Sequence, residues 1–375
     1  MSTDAQPEAD RIDGAPHPRE TVMLFGQDAA ETTFLSAFNA GRLHHAWLLA
    51  GPRGVGKATL AWKIARFLLA TPDSDDGGLF GEGLPDPATL DIDTEHPVAR
   101  RLLAGSDPGL YRITRGLNEK TGKLRDAIVA DNVRELNQFL QLSSVDGGRR
   151  VVIIDSADEM NTQAANALLK MLEEPPERTT FLLITHQAAR LLPTIRSRCR
   201  VLRLATLETD VIGRALSQAG VDPGEDAAAL AALSGGSVGE AIRLINQDGL
   251  KIYDELVQII AGLPQRFDRQ RAMQLAESIT GKEAAQKLDL LLVLINLLLT
   301  RMAQTGAYGH PPAIPASEGE QEAFMRLAPD AIQGRRWADC AQEISSRARH
   351  GQSVNLDPVA LVLDTVFSIQ KTAAG

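Results

Sequence analysis

Gly51, Gly54, Gly56 and Lys57 stand in the run Gly51-Pro-Arg-Gly-Val-Gly-Lys57-Ala-Thr59, a spacing suited to holding phosphate. Glycines let backbone N–H groups turn toward anionic oxygens. A helix starting at the lysine adds the positive end of its dipole, and the lysine reaches the terminal phosphates. The pattern G-x-x-x-x-G-K-[ST] calls next for a hydroxyl that coordinates Mg²⁺. Ala58 stands there, and Thr59 comes one residue later, about 100° further round a helix. The run therefore predicts a phosphate cradle without its metal ligand; the alternative is a relic turn that binds nothing. Three more residues belong with it. Asp155 closes the apolar run Val151–Ile154, and Thr185 closes the apolar run Phe181–Ile184. A strand-ending aspartate beside such a cradle can help hold Mg²⁺. Arg198 follows in Ser197-Arg198-Cys199, beyond the second strand, where a guanidinium could leave its own site and meet a neighbour's phosphate. Taken alone, that tripeptide reads as an ordinary surface charge.

These residues need elements to position them. Ala46–Ala50 reads as a strand and Leu60–Leu69 as a helix, so the glycine run falls at a strand-to-helix turn. Val151–Ile154 and Phe181–Ile184 read as buried parallel strands, with a helix over Ala164–Leu172 between them that Pro175-Pro176 stops. In open α/β sheets ligands bind at the carboxyl ends of strands, where Asp155 and Thr185 lie. Asp158 and Glu159 read as acids at the start of the intervening helix. Further elements are expected at Asp28–Ala40 (helix), Leu110–Thr114 (strand), Val129–Leu140 (helix) and Val201–Leu204 (strand), with a polar turn or short hairpin at Asn118–Leu124. Residues 1–20 read as a disordered tail and Thr71–Thr94 as a mobile surface insertion. Residues 21–205 form the expected α/β domain and 206–250 a small helical lid. From 251 to 375 the pattern is helical, with a long proline-containing break at Thr305–Gly319, and reads as an oligomerisation module.

Composition excludes several classes. A net charge of −9 and an aromatic content of 4% argue against a stand-alone nucleic-acid binder. Two distant cysteines, Cys199 and Cys340, support neither a disulfide framework nor a zinc site, and fit a reducing cytosol. No signal peptide is visible. The most apolar run, Leu288–Thr300, reads as too short to span a membrane and as a core helix, yet apolar enough over Leu288–Leu299 to present a subunit interface.

In order, the chain offers the glycine run, the Asp155 strand, Asn166-Ala-Leu-Leu-Lys170-x-x-Glu173-Glu174-Pro175-Pro176, the Thr185 strand and Ser197-Arg198-Cys199. This series resembles the AAA+ clamp-loader subunits of bacterial DNA polymerase III, strongest from Gly147 to Leu204 and extending over Phe25–Phe367. His45-Ala46 and Asn355-Leu-Asp-Pro358 also match. The resemblance implies a P-loop AAA+ α/β core, a helical lid and an all-α collar. Motor subunits of that family carry Ser/Thr after the P-loop lysine, Glu after the strand-ending Asp and Arg in a lid helix. Here Ala58, Ser156 and Gly239 stand in those places, while Arg198 is kept. The combination is similar to the delta-prime branch. It implies a subunit with little or no hydrolysis of its own, whose Arg198 serves as a finger toward a neighbour's ATP. The expected partners are motor (gamma/tau) and delta subunits in a ring, with the sliding clamp and primed DNA reached through the complex. No membrane is involved, and the setting is the bacterial cytoplasm at the replisome. ATP remains open as a ligand, held by Gly51, Gly54, Gly56, Lys57, Ala58, Thr59, Asp155 and Thr185. No metal ligand is expected, and the four-Cys zinc module of many relatives is missing, so no zinc is expected. The alternative is an active AAA+ motor, of the gamma/tau, branch-migration or helicase-loading kind; a P-loop small-molecule kinase fits the helical C-terminal part poorly.

Overall fold

The computed structural model describes residues 8–71, 85–118, 121–141, 148–280, 284–354 and 356–375. Two compact units divide the chain: residues 1–221 with 237–239, and residues 222–236 with 240–375. The segment expected as a lid draws on both.

The first unit opens with α1 (Asp28–Asn39), β1 (Ala46–Ala50), α2 (Lys57–Ala70), α3 (Pro97–Leu103) and β2 (Leu110–Ile113). It continues with α4 (Ala130–Gln141), β3 (Arg150–Ile154), α5 (Thr162–Glu173) and β4 (Thr179–Thr185), and ends with α6 (Pro193–Arg196), β5 (Arg200–Arg203) and α7 (Thr209–Gln218). The five strands form one sheet in the order β2-β3-β4-β1-β5, and each neighbouring pair is parallel. Side chains alternate between its faces. Trp47, Leu49, Ile153, Leu182 and Ile184 pack with Phe34 of α1 and with Leu60, Ile64 and Phe67 of α2. Leu48, Val152, Ile154, Phe181 and Leu183 pack with Val133 and Leu136 of α4 and with Leu168 and Leu172 of α5. Both faces are covered, which is why the central strands read as continuous apolar runs. Parallel pairing sends every carboxyl end to one edge, so Ala50, Ile154 and Thr185 deliver their following residues to a common place.

Several expectations change here. Residues 8–20 are docked, with His17 fully buried; composition suggested a tail because the buried polar groups satisfy one another. Of the expected surface insertion, residues 72–84 lie outside the described residues, but its far end packs inward. Leu90 is buried in the core, and Asp91 joins Glu31 in pairing with Lys63 of α2 at 2.9 and 2.7 Å. The turn at 118–124 is closed by an antiparallel bridge between Leu117 and Leu124, with residues 119–120 outside the described set. Asp158 and Glu159 do not cap α5. That role falls to Asn161, whose side chain accepts from Ala164 N at 2.8 Å.

The second unit comprises α8 (Ala227–Ser234), most of α9 (Val238–Asn246), α10 (Gly249–Ala261), α11 (Arg269–Glu277), α12 (Ala284–Tyr308), α13 (Glu320–Leu327), α14 (Ala331–Ser353) and α15 (Pro358–Ala374). The break expected at Thr305–Gly319 is shorter, because α12 runs on to Tyr308, and α13 follows it. α12 has 25 residues, long and apolar enough to cross a membrane by length and composition. Its Leu288, Leu291, Leu294, Ile295, Leu298 and Leu299 are nevertheless buried within the unit. The apolarity that suggested a subunit interface is thus used internally; among the described residues its strongly exposed large apolar side chains are Val293 and, at its end, Tyr308. α12 and α14 meet backbone to backbone: a Cβ on Gly306 would stand 2.7 Å from Gly334 Cα. A buried Arg301–Glu320 ion pair, 2.8 Å, also receives the Tyr253 hydroxyl at 2.7 Å. Asn355 lies outside the described residues; Asp357 caps α15 through Ala360 N at 3.0 Å.

Candidate functional site

The glycine run forms the turn between β1 and α2. Gly54 and Gly56 take φ of +75° and +96°, conformations that side-chain-bearing residues rarely adopt. Space imposes glycine as well. Gly239 N donates to Gly54 O at 3.1 Å, and a Cβ on Gly54 would stand 2.8 Å from Gly239 Cα. Ser237 Oγ donates to Arg53 O at 2.8 Å. From the other side, Gln27 fastens the turn to the end of β5. Its amide donates to Val55 O at 3.1 Å and Ala205 O at 2.9 Å, and its carbonyl accepts from Ala205 N at 3.1 Å. Gln27 carried no sequence signal; it is a buried polar residue whose partners lie at both ends of the domain.

Lys57 begins α2 and is almost fully buried. Its ammonium donates to Gly51 O at 2.8 Å and also to Pro52 O. Burial brings its pKa down to about 8, against the pull of Asp155 and Asp158. Ala58 packs at the edge of the apolar core under the sheet and offers no oxygen. Asp155 follows β3. Burial pushes its carboxyl up to about 6, opposed by a hydrogen bond from Ser156 and the charge of Lys57, with Asp10 adding to the rise. Ser156 Oγ gives its proton to Asp155 Oδ1 at 2.9 Å, so it accepts from His186 Nε2, also at 2.9 Å. Burial first, then the charge of Lys57, lowers the His186 pKa to about 4, so this imidazole is neutral at pH 7. The result is a His186–Ser156–Asp155 chain of hydrogen bonds at the carboxyl edge of the sheet. His186 was missed by sequence reading, although it directly follows Thr185. Thr185 Oγ1 and His186 Nδ1 are buried with no hydrogen-bond partner among the described residues. Asp158 accepts instead from His186 N at 3.2 Å and Gln187 N at 3.1 Å, tying β3's end to β4's. Glu159 pairs with Arg115 at 2.8 Å.

Thus Gly51, Gly54, Gly56, Lys57, Asp155 and Thr185 converge on one edge, while Ala58 and Ser156 bring no metal ligand and no carboxylate to it. The positive-φ glycines and the orphaned Thr185 hydroxyl fit an anionic phosphate ligand. They do not fit a protein-held Mg²⁺ at position 58.

Arg198 is elsewhere, just past α6 and about one-third exposed. Its guanidinium holds Glu173 Oε1 at 2.8 Å, at the end of α5, and donates to Thr194 O at 3.0 Å. Neighbouring Cys199 is pushed up to about 12 by burial, so its thiol stays protonated.

A parallel β2-β3-β4-β1-β5 sheet with a glycine cradle after β1 and an aspartate after β3 defines a P-loop α/β module of the AAA+ kind. The family described as "DNA polymerase III, delta subunit" matches residues 26–208. DNA polymerase III subunit delta' of Pseudomonas aeruginosa is 37% identical over 239 residues, 62% of this chain and 65% of that protein. Its namesake from Yersinia pestis is 32% identical over 67% of this chain and 68% of its own length. The match to the Escherichia coli subunit delta', 32% identical, spans 62% of that protein, so the aligned part is just under two thirds of two of these relatives. DNA polymerase III subunit gamma of Buchnera aphidicola is 30% identical over 50% of this chain and 46% of its own length. The chain belongs to the delta-prime subunit family of DNA polymerase III.

Proposed function

We propose that this chain is a non-hydrolysing clamp-loader subunit that completes a ring with gamma/tau motor and delta subunits and supplies Arg198 in trans to ATP held by a neighbour. The ring loads the sliding clamp onto primed DNA in the bacterial cytoplasm. One observation carries the reading. At the carboxyl edge of the sheet the scaffold for hydrolysis persists without its chemical groups: Ala58 follows Lys57, Ser156 follows Asp155 and is spent on His186, and Gly239 lies against Gly54. Arg198, by contrast, sits at the surface, held by one exposed carboxylate and one carbonyl. An arginine placed there has little use in cis. Supplied to another subunit, it stabilises charge developing on a transferring phosphoryl group.

The P-loop is read as a phosphate cradle that takes ATP weakly or without turnover. If nucleotide binds, Lys57 and the backbone N–H groups of the glycine turn would hold its phosphates, with Thr185 Oγ1 as a further donor. Residues 206–250 serve as the lid and the helices after 251 as the collar. The test is a reconstituted loader with wild-type or Arg198→Ala subunit, assayed for DNA-stimulated ATPase and for clamp placement. Assembly should persist, ATPase should fall in part because one neighbour loses its finger, and loading should fall further. Unchanged ATPase and loading in an intact complex would make Arg198 a structural charge and refute the proposal.

A further inference from the structure

Residues 8–24 run past the phosphate cradle, touching it directly at Gly56 and, through Gly239, next to Gly54. Ile12 Cδ1 stands 2.8 Å from where a Cβ on Gly239 would be, at the point where Gly239 meets Gly54. Leu24 Cδ1 stands 2.6 Å from where a Cβ on Gly56 would be. Between these contacts the segment is fastened by polar groups that are themselves buried. The Asp10 carboxylate, almost fully buried, accepts from Arg112 Nη1 at 3.0 and 2.7 Å. His17 Nδ1 accepts from Arg19 N at 3.1 Å, which leaves its Nε2–H to face Asp10 Oδ2 at 3.2 Å. The His17 ring stands edge-on to Trp62 of α2, centroids 5.8 Å apart, and Arg66 of α2 donates to Arg19 O at 2.9 Å. Arg112 lies on β2, so the fastening joins the segment to the sheet itself.

The geometry points to residues 8–24 acting as a strap over the P-loop, latched by Asp10, Arg112 and His17, that must open before a nucleoside triphosphate can enter. The inference rests on reading the glycine turn as a phosphate cradle and is independent of the trans role of Arg198. Two physical obstacles define the closed state. One is steric: Leu24 lies against the Gly56 end of the turn, and Ile12 lies against Gly239, which itself meets Gly54. The other is electrostatic. Asp10 stands near enough to Asp155 to add to the rise in that carboxyl's pKa, a negative charge beside the cradle that its Arg112 partner offsets in part. Lys57, meanwhile, is turned onto Gly51 O and Pro52 O and must leave them to reach phosphate. A ligand that binds only the open form has its apparent affinity reduced by the fraction of molecules that are open. Loosening the latch should therefore tighten binding.

The experiment uses the full-length chain and two readouts. Titration with a fluorescent ATP analogue compares wild type, Asp10→Ala and Arg112→Gln. Hydrogen exchange on wild-type protein follows amides 8–24 and 51–57 with and without saturating ATP. Both variants should bind tenfold or more tightly than wild type. In wild type, ATP should speed exchange over 8–24 while slowing it over 51–57. Equal affinity in all three proteins, or exchange over 8–24 unmoved by bound ATP, would overturn the strap. Tighter binding by Asp10→Ala alone would reduce the segment to a source of charge and overturn the latch. Absence of binding in every variant would leave nothing to gate and overturn the inference, while the Arg198 experiment in the assembled loader would stand unaffected.

Discussion

Replacing Asp155 by Asn should stabilise the first unit near neutral pH. Burial carries this carboxyl from its ordinary 3.8 to about 6, so the native state holds a costly charge whenever it is ionised. For a raised carboxyl, the native state is relatively favoured below 3.8, and that advantage is lost as pH rises through about 6. Each pH unit is worth about 1.4 kcal/mol, so the full penalty above pH 6 is roughly 3 kcal/mol. The residue keeps some contact with solvent, which screens the charge and brings the expected gain to about 1–2 kcal/mol. Asn can still accept the Ser156 hydroxyl proton, so the His186–Ser156 chain survives the change. The assay is urea unfolding at pH 8 and at pH 4. It is followed by tryptophan fluorescence in a Trp337→Phe background, so that Trp47 and Trp62 report the first unit alone. Asp155→Asn should raise the midpoint at pH 8 and lose that advantage at pH 4. An Asn variant less stable than wild type at pH 8 would show that Lys57 more than repays the burial of the charge, and the reasoning would fail.

The isolated chain should show no ATP turnover approaching 1 s⁻¹, the low end of the ordinary enzyme range. Ala58→Thr alone should not restore it, because Ser156 still supplies no carboxylate; colorimetric phosphate release checks both. In the reconstituted loader, Arg198→Lys should fail to rescue the ATPase fully, since an ammonium lacks the planar fork of guanidinium. In the second unit, Gly334→Ala should lower stability by about 1–3 kcal/mol, because its Cβ would meet Ala303 O at 2.8 Å in a helix contact with no room to give. Thermal unfolding measures the loss, and an unchanged midpoint would mean that α12 and α14 part easily.

The sheet was legible because its strands are buried on both faces and their ends carry the chemistry. Ala46–Ala50 falls where it was expected, and Asp155 and Thr185 end up together because parallel pairing brings every carboxyl end to one edge. What escaped depended on partners far along the chain. Gln27 is an unremarked glutamine until Val55 and Ala205 are placed beside it. His17 and Asp10 lie in a stretch whose composition suggests solvent, yet each satisfies the other in a buried setting. α13 went unread just after the proline-containing break, because its helical signal comes from only eight residues, Glu320–Leu327. The Leu288–Leu299 stretch is the core helix its apolarity predicts, although apolarity alone did not say what that helix packs against.

The cradle's persistence follows from how its groups are satisfied. Lys57 finds two carbonyls, Asp155 a hydroxyl, Ser156 an imidazole, and Asp158 two backbone amides, so the site is largely satisfied without a ligand. A hydroxyl at position 58 and a carboxylate at position 156 are therefore not needed to hold the fold. Loss of the elements themselves would cost much more. Asp158 ties the end of β3 to the residues after β4, the chain then passes through α6 to Arg198, and Glu173 at the end of α5 holds that guanidinium from the other side. The position of Arg198 is thus set by the same strands and helix that frame the P-loop. On the proposed trans role of Arg198, the nucleotide-binding scaffold is needed to place that arginine whether or not this chain turns over ATP itself.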